Sequence, residues 1–134
     1  MLGAVDRRLS VQAPCVMVSH SMQGGCLCEN APGLRVRFSN MEIAASVAPR
    51  PQILVAATGD WTKTTMEIEG PGIRSAYHLL GADQHLHYVL HDYEHNYNKT
   101  TRESVYGWLG KWLLPHLKPG QLTERSYTKE PDKD

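Results

Sequence analysis

The most restrictive feature of this sequence is an uninterrupted apolar run, Ile53 to Ala57, followed directly by Thr58-Gly59-Asp60-Trp61. Because neither face of this run is polar, it predicts a parallel strand that helices cover on both sides. A second run, Leu86 to Leu90, leads in the same way into His91-Asp92-Tyr93-Glu94-His95-Asn96-Tyr97-Asn98. With the following His91 it predicts a second strand, and its partly polar alternation is typical of a strand at a sheet edge.

Helical signals alternate with these strands. The capping box Ser39-Asn40-Met41-Glu42 predicts a helix over 40–48, which Pro49 stops. Pro71 suits the first turn of a helix that ends at Leu80, just before Gly81. A second capping box at 100–103 predicts a last helix that ends before Pro115. Its apolar residues recur at spacings of three and four: Val105, Trp108, Leu109, Trp112 and Leu113.

The short apolar segment Cys15 to Val18 predicts a further strand, the first in the chain. The order strand, helix, strand, helix, strand, helix predicts a three-layer α/β domain. We expect a small parallel sheet of about three strands with helices on both faces. The domain should span 1–117, and the polar segment 118–134 is expected to be a disordered tail.

Composition excludes several classes of protein. Lys plus Arg and Asp plus Glu both number 14, so the net charge of zero gives no electrostatic basis for binding nucleic acid or an anionic membrane. No apolar run approaches the roughly 20 residues that span a bilayer. Three cysteines do not form a disulfide framework, and we expect reduced thiols in a cytoplasmic protein. Cys26-Leu27-Cys28 lacks a second ligand pair for zinc, and we expect no cofactor.

Asp60 and His95 each follow a predicted strand, where open α/β sheets place their functional groups. A carboxylate that orients a histidine is the acid–base half of a nucleophile–His–acid triad. Two alternatives remain open at this point: Asp60 as a turn cap and His95 as an ordinary surface histidine. Together with His95, the three other histidines of this stretch also suggest a metal-assisted hydrolase: His85, His87 and His91.

The nucleophile is the difficulty, because no Gly-x-Ser-x-Gly occurs in the chain. The nearest approach is Ser21, in Ser19-His20-Ser21-Met22-Gln23-Gly24-Gly25. Gln23 in place of a glycine disfavours a strained nucleophile elbow, so a loop serine remains the alternative. For substrate binding we select Trp61 and the backbone N–H groups near Met22, Gln23 and Gly24, which are candidates for stabilising an anionic intermediate.

Four segments resemble α/β-hydrolases of the acetyl xylan esterase and dienelactone hydrolase type. They are Ser21 through Pro32, Ala48-Pro49-Arg50-Pro51, Thr58-Gly59-Asp60-Trp61-Thr62 and His95-Asn96-Tyr97-Asn98. The likeness extends to about Leu114 and concerns only the C-terminal half of such enzymes. It implies Asp60 as triad acid and His95 as triad base. It also implies that the usual serine and the first strands would lie upstream, so that this domain is truncated.

Truncation would leave the first strand, Cys15 to Val18, with one unpaired edge, which invites pairing with a second copy. We therefore expect a homodimer through this strand. The leading hypothesis is a carboxylester hydrolase for small esters, with Ser21 or an activated water as nucleophile. The alternatives are a catalytically silent hydrolase fragment, which self-associates or complements a separate N-terminal half, and the metal-assisted hydrolase. Asn98-Lys99-Thr100 is interpreted as a helix cap, not as a glycosylation site.

Overall fold

The computed structural model describes residues 2–21, 33, 36–118 and 120–128. The elements follow one another as helix α1 (Leu2–Val5), helix α2 (Asn40–Ala45), strand β1 (Gln52–Gly59), helix α3 (Gly70–Leu79), strand β2 (Leu86–Glu94) and helix α4 (Lys99–Leu113). A π-helical turn, Thr65–Glu69, leads into α3, and a 3-10 turn, Asp83–His85, precedes β2.

Strand β1 is the centre of the fold. It pairs in parallel with β2, with Gln52 opposite Leu86 at one end and Gly59 opposite Glu94 at the other. Its alternating side chains enter two separate apolar clusters. Leu54 packs with residues of α2 and α3, and Val55 packs with Val105 and Trp108 of α4. Helices therefore cover both faces of the sheet, which confirms the predicted three-layer α/β class.

In the described part of the chain the sheet has two regular strands. The prediction of a third regular strand from Cys15 to Val18 is wrong. The segment beside β1 begins earlier and makes isolated parallel bridges, Gln12 to Gln52 and Cys15 to Val55. Pro14 has no N–H to donate, and Val16 has φ of 48°, which a β-branched residue rarely adopts. These two residues interrupt the ladder.

The helix boundaries agree with the sequence signals in most places. Ser39 caps α2 through the predicted capping box, although the helix ends at Ala45 and not at Ala48. Gly81 follows α3 with φ of 64°, as a residue just past a helix end commonly does. The second predicted capping box placed the cap of the last helix at Thr100, two residues too late. Asn98 is the cap of α4 because its side chain accepts from the Thr101 N–H, and the interpretation of Asn98 as a cap is confirmed.

Arg50 ties the N-terminal segment to the domain. Its guanidinium donates to the carbonyl of Gly3 within α1 and to the carbonyls of Asp6 and Leu9 after it. The Arg50 carbonyl in turn accepts a 2.7 Å hydrogen bond from Tyr77, a residue of α3 that is fully buried. One residue of the segment before β1 therefore joins α1 to α3.

The part of the C-terminal tail that the structure describes lies near α4. Glu124 forms an ion pair with Arg102 at 2.6 Å, and the Leu122 side chain approaches Gly110. The domain boundary at 117 and the disorder of 118–134 stay predictions. No helix in the described ranges combines the length and the apolar character that crossing a membrane requires.

The Tyr77 hydroxyl provides a test of this packing. Tyr77→Phe removes the donor to the Arg50 carbonyl and is expected to lower the free energy of unfolding by about 1–2 kcal/mol, because the acceptor loses a buried partner. Urea unfolding measures the change. Tyr127→Phe, at a position that is 72% exposed, is the control and should be neutral. Equal stabilities of the Tyr77→Phe variant and the wild type would contradict this account.

Candidate active site

The two strands of the parallel sheet end at the same edge, and each is followed at once by a titratable side chain. Asp60 follows β1 and His95 follows β2. The register shifts between Ala57 and Gly59, so that Gly59 lies opposite Glu94. A Cβ atom at Gly59 would lie 2.9 Å from the Tyr93 carbonyl oxygen, which leaves no room for a side chain. Glycine at this position lets the two strand ends approach each other.

Asp60 and His95 are in hydrogen-bond contact. His95 Nδ1 lies 3.1 Å from Asp60 Oδ2, and the Asp60 side chain is 2% exposed while that of His95 is 48% exposed. Because an ionised carboxylate only accepts hydrogen bonds, Nδ1 carries the proton and Nε2 keeps its lone pair. The result is a half-exposed imidazole base that a buried acid orients, the arrangement of the acid–base half of a triad.

Thr62 positions the Asp60 carboxylate, and sequence reasoning missed this residue. Asp60 Oδ1 accepts from the Thr62 backbone N–H at 2.6 Å and from the Thr62 hydroxyl at 2.5 Å. The same hydroxyl oxygen accepts the Ala57 N–H at 3.0 Å. The sequence signal was available, since an aspartate side chain at a turn commonly accepts from the backbone N–H two residues on, which here belongs to Thr62.

Trp61 contacts the base directly. Its ring centroid lies 4.7 Å from that of His95, with the two planes tilted by 38°. Trp61 Nε1 is buried and has no hydrogen-bond partner among the described residues. The indole therefore supports the position of the His95 ring. Its predicted role in substrate binding stays a prediction.

Ser21 lies on the loop that follows the segment beside β1. Its hydroxyl is 3.1 Å from the Ser19 hydroxyl, and its backbone N–H donates to the same Ser19 oxygen. Among the hydrogen bonds of the described residues, none joins Ser21 to His95. The predicted substrate-binding residues Met22, Gln23 and Gly24 lie outside the described residues, as do Cys26 and Cys28.

The four histidines of the metal hypothesis have four different surroundings. His85 Nδ1 contacts the Pro49 carbonyl at 2.6 Å, and His91 Nε2 contacts the Ser104 hydroxyl at 2.9 Å. His87 stacks on Trp108, and burial lowers the pKa of His87, with nearby Lys111 and Arg74 lowering it further. Within the described ranges, no three His, Cys, Asp or Glu side chains are grouped as metal ligands would be.

Two solved structures are similar to this chain. One is "Methylesterase BT1017", with a TM-score of 0.76 and 28% identity over 89% of this chain. The other is a carbohydrate esterase family 15 glucuronoyl esterase from Caldicellulosiruptor kristjansonii, with a TM-score of 0.67 and 17% identity over 96% of this chain. No family model and no curated protein sequence matches.

The chain has the α/β fold of the matching parts of these two esterases. It spans 27% of the length of the methylesterase and 43% of that of the glucuronoyl esterase. The resembling segments predicted the fold of an α/β-hydrolase-type esterase, and the two similar structures confirm an esterase-like fold.

The Thr62 hydroxyl makes a testable contribution. Thr62→Val removes the donor to Asp60 and leaves the buried Ala57 N–H without an acceptor, so the free energy of unfolding should fall by about 1–3 kcal/mol. Thr62→Ser keeps the hydroxyl and is the matched control. Denaturant unfolding of both variants measures the difference. If Thr62→Val is as stable as Thr62→Ser, the hydroxyl does not perform this role.

Proposed function

We propose that this chain is a carboxylester hydrolase in which His95 is the general base and Asp60 orients it. The observation that carries the proposal is the contact between a buried carboxylate and a half-exposed imidazole at the edge where both strands end. Open α/β sheets bind their ligands at this edge. The esterase-like fold supports the same reaction class.

In the proposed step, His95 Nε2 takes a proton from the nucleophile as its oxygen attacks the ester carbonyl carbon. The tetrahedral intermediate then breaks its bond to the alcohol oxygen, which receives that proton from Nε2; where the nucleophile is serine, water releases the acyl group in the same way. Asp60 stabilises the positive charge that forms on the imidazole. Ser21 is the candidate nucleophile within the chain, and a water molecule is the alternative. Because the Ser21 hydroxyl contacts the Ser19 hydroxyl, serine and water are tested as separate nucleophiles.

The substrate class is part of the proposal. A small carboxylic ester is the candidate, and the methylesterase among the similar structures supports a methyl or other short alkyl ester. Trp61 beside His95, together with Met22, Gln23 and Gly24, is proposed to bind it. No nucleic acid, membrane or cofactor is part of this proposal, and a cytoplasmic location stays a prediction.

Hydrolysis of p-nitrophenyl acetate tests the mechanism. His95→Ala should lower kcat/KM by about 100-fold or more, because a positioned general base contributes at least that much. His78→Ala is the control, because His78 lies on α3 and pairs with the partly exposed Asp83, and the substitution should leave the rate unchanged. Ser21→Ala separates the nucleophiles: a loss as large as that of His95→Ala indicates serine, and no loss indicates water. Unchanged activity of His95→Ala would exclude this mechanism.

A second candidate is a catalytically silent hydrolase fragment that self-associates or complements a separate N-terminal half. The observation that favours it is coverage of less than half of either similar structure. The segment around Cys15 contacts β1 on one side, and Ile53 and Val55 donate their N–H groups to it. The other side of this segment is the proposed pairing surface.

For this self-association we expect a dimer through the segment that contains Cys15. Light scattering at micromolar concentration should give twice the mass of one chain. Cys15→Pro removes a backbone donor on the segment and should shift the protein toward the monomer. Ser126→Pro is the control, because Ser126 is exposed and lies outside the helices and strands. A mass of one chain for the wild type would exclude the dimer.

A further inference from the structure

Glu69 is a buried carboxylate outside the Asp60–His95 pair. Its side chain is 0% exposed, and its Oε1 lies 2.6 Å from His20 Nδ1. The same oxygen accepts from the His20 backbone N–H at 2.9 Å and from the Thr64 hydroxyl at 3.1 Å. Oε2 is buried and has no hydrogen-bond partner among the described residues. Burial alone raises the pKa of Glu69, but the hydrogen bonds from His20 and Thr64 outweigh it and the net pKa is lowered.

The contact fixes the tautomer of His20. Because the Glu69 carboxylate only accepts hydrogen bonds, His20 Nδ1 carries the proton and Nε2 keeps its lone pair. The His20 side chain is 42% exposed, against 48% for His95. A buried acid and a half-exposed imidazole therefore occur twice in this fold, once as Asp60 with His95 and once as Glu69 with His20.

Both pairs lie at the same edge of the sheet. The segment before His20 runs parallel to β1, so it leaves the sheet at the edge where β1 and β2 also end. The two acids are held by threonines two residues apart: Thr62 contacts Asp60 and Thr64 contacts Glu69. The Cα atoms of Thr62 and Thr64 are therefore at most about 7.6 Å apart, because consecutive Cα atoms are separated by about 3.8 Å. One turn thus anchors both acids.

We propose that His20 is a second proton-transfer residue of this edge, with Glu69 as its positioning acid, acting on a water molecule during hydrolysis of the ester. The proposal rests on the proposed esterase function. His20 Nε2 takes a proton from water as the water oxygen bonds to the carbonyl carbon. The tetrahedral intermediate then breaks its bond to the alcohol oxygen, which receives that proton from Nε2. Ester and water give acid and alcohol, and the imidazole is regenerated.

The competing explanation is a structural one, in which Glu69 only holds the loop of His20 against the turn before α3. His20→Asn separates the two roles. The asparagine amide can donate to Glu69 in place of Nδ1–H, but it cannot accept a proton as a base. If Glu69 and His20 have only a structural role, the residual activity of the His95→Asn variant should be unchanged when His20→Asn is added, provided that the thermal midpoint is unchanged.

The first measurement needs no activity. Side-chain ¹⁵N NMR of the wild type, with the His20 signals assigned from the His20→Asn variant, should show His20 as the Nδ1–H tautomer when it is neutral. His78 is the internal comparison, because its partner Asp83 is 45% exposed and water competes for the contact. If neutral His20 carries its proton on Nε2, that nitrogen cannot take one from water and the proposal is overturned.

The second measurement is kcat/KM for p-nitrophenyl acetate across roughly pH 5 to 9, the range around the usual imidazole titration. His95→Asn should keep a pH-dependent residual rate, and adding His20→Asn should lower that residual rate about tenfold or more with an unchanged thermal midpoint. His20→Asn alone should stay close to the wild-type rate because His95 still carries the faster route, and His78→Asn added to His95→Asn should leave the residual rate unchanged. A double variant that keeps the full residual rate of His95→Asn overturns the His20 proposal alone. An inactive wild type overturns it together with the proposed function.

Discussion

The parallel pairing of β1 with β2 is the contact on which the candidate site depends. Asp60 and His95 are 35 residues apart in the sequence, and they meet because parallel strands end at the same edge. Gly59 lets the strand ends approach each other, since a Cβ there would collide with the Tyr93 carbonyl. Burial of β1 on both faces holds the pairing in place, with Leu54 in one apolar cluster and Val55 in the other.

Two buried carboxylates at this edge require compensation, because an unpaired buried charge is costly. Asp60 receives hydrogen bonds from the backbone and hydroxyl of Thr62 and contacts His95. Glu69 receives hydrogen bonds from His20 and Thr64, although one of its oxygens has no partner among the described residues. The turn between β1 and α3 therefore preorganises the acids, and each acid in turn fixes the orientation of one imidazole.

Local patterns predicted the elements around the site with good positions. The apolar run before Asp60 predicted β1, and Pro71 and Gly81 bracketed α3 because proline and glycine have fixed places at helix ends. The same kind of reasoning failed at Cys15 to Val18, where Pro14 and the positive φ of Val16 interrupt the ladder. It also placed the cap of α4 two residues late, since Asn98 competes more strongly for that position than Thr100.

The sequence alone determined that Asp60 and His95 follow strands, because a strand end is a local property of the chain. It also determined the three-layer class, because the spacing of apolar residues shows which faces need cover. The resemblance implied that Asp60 meets His95, and only the tertiary structure decided that Glu69 meets His20. His20 and Glu69 are 49 residues apart, and no local pattern encodes the distance between two loops. That distance is decided by how β1, β2 and the Gln12 segment pack side by side, which is a property of the whole fold.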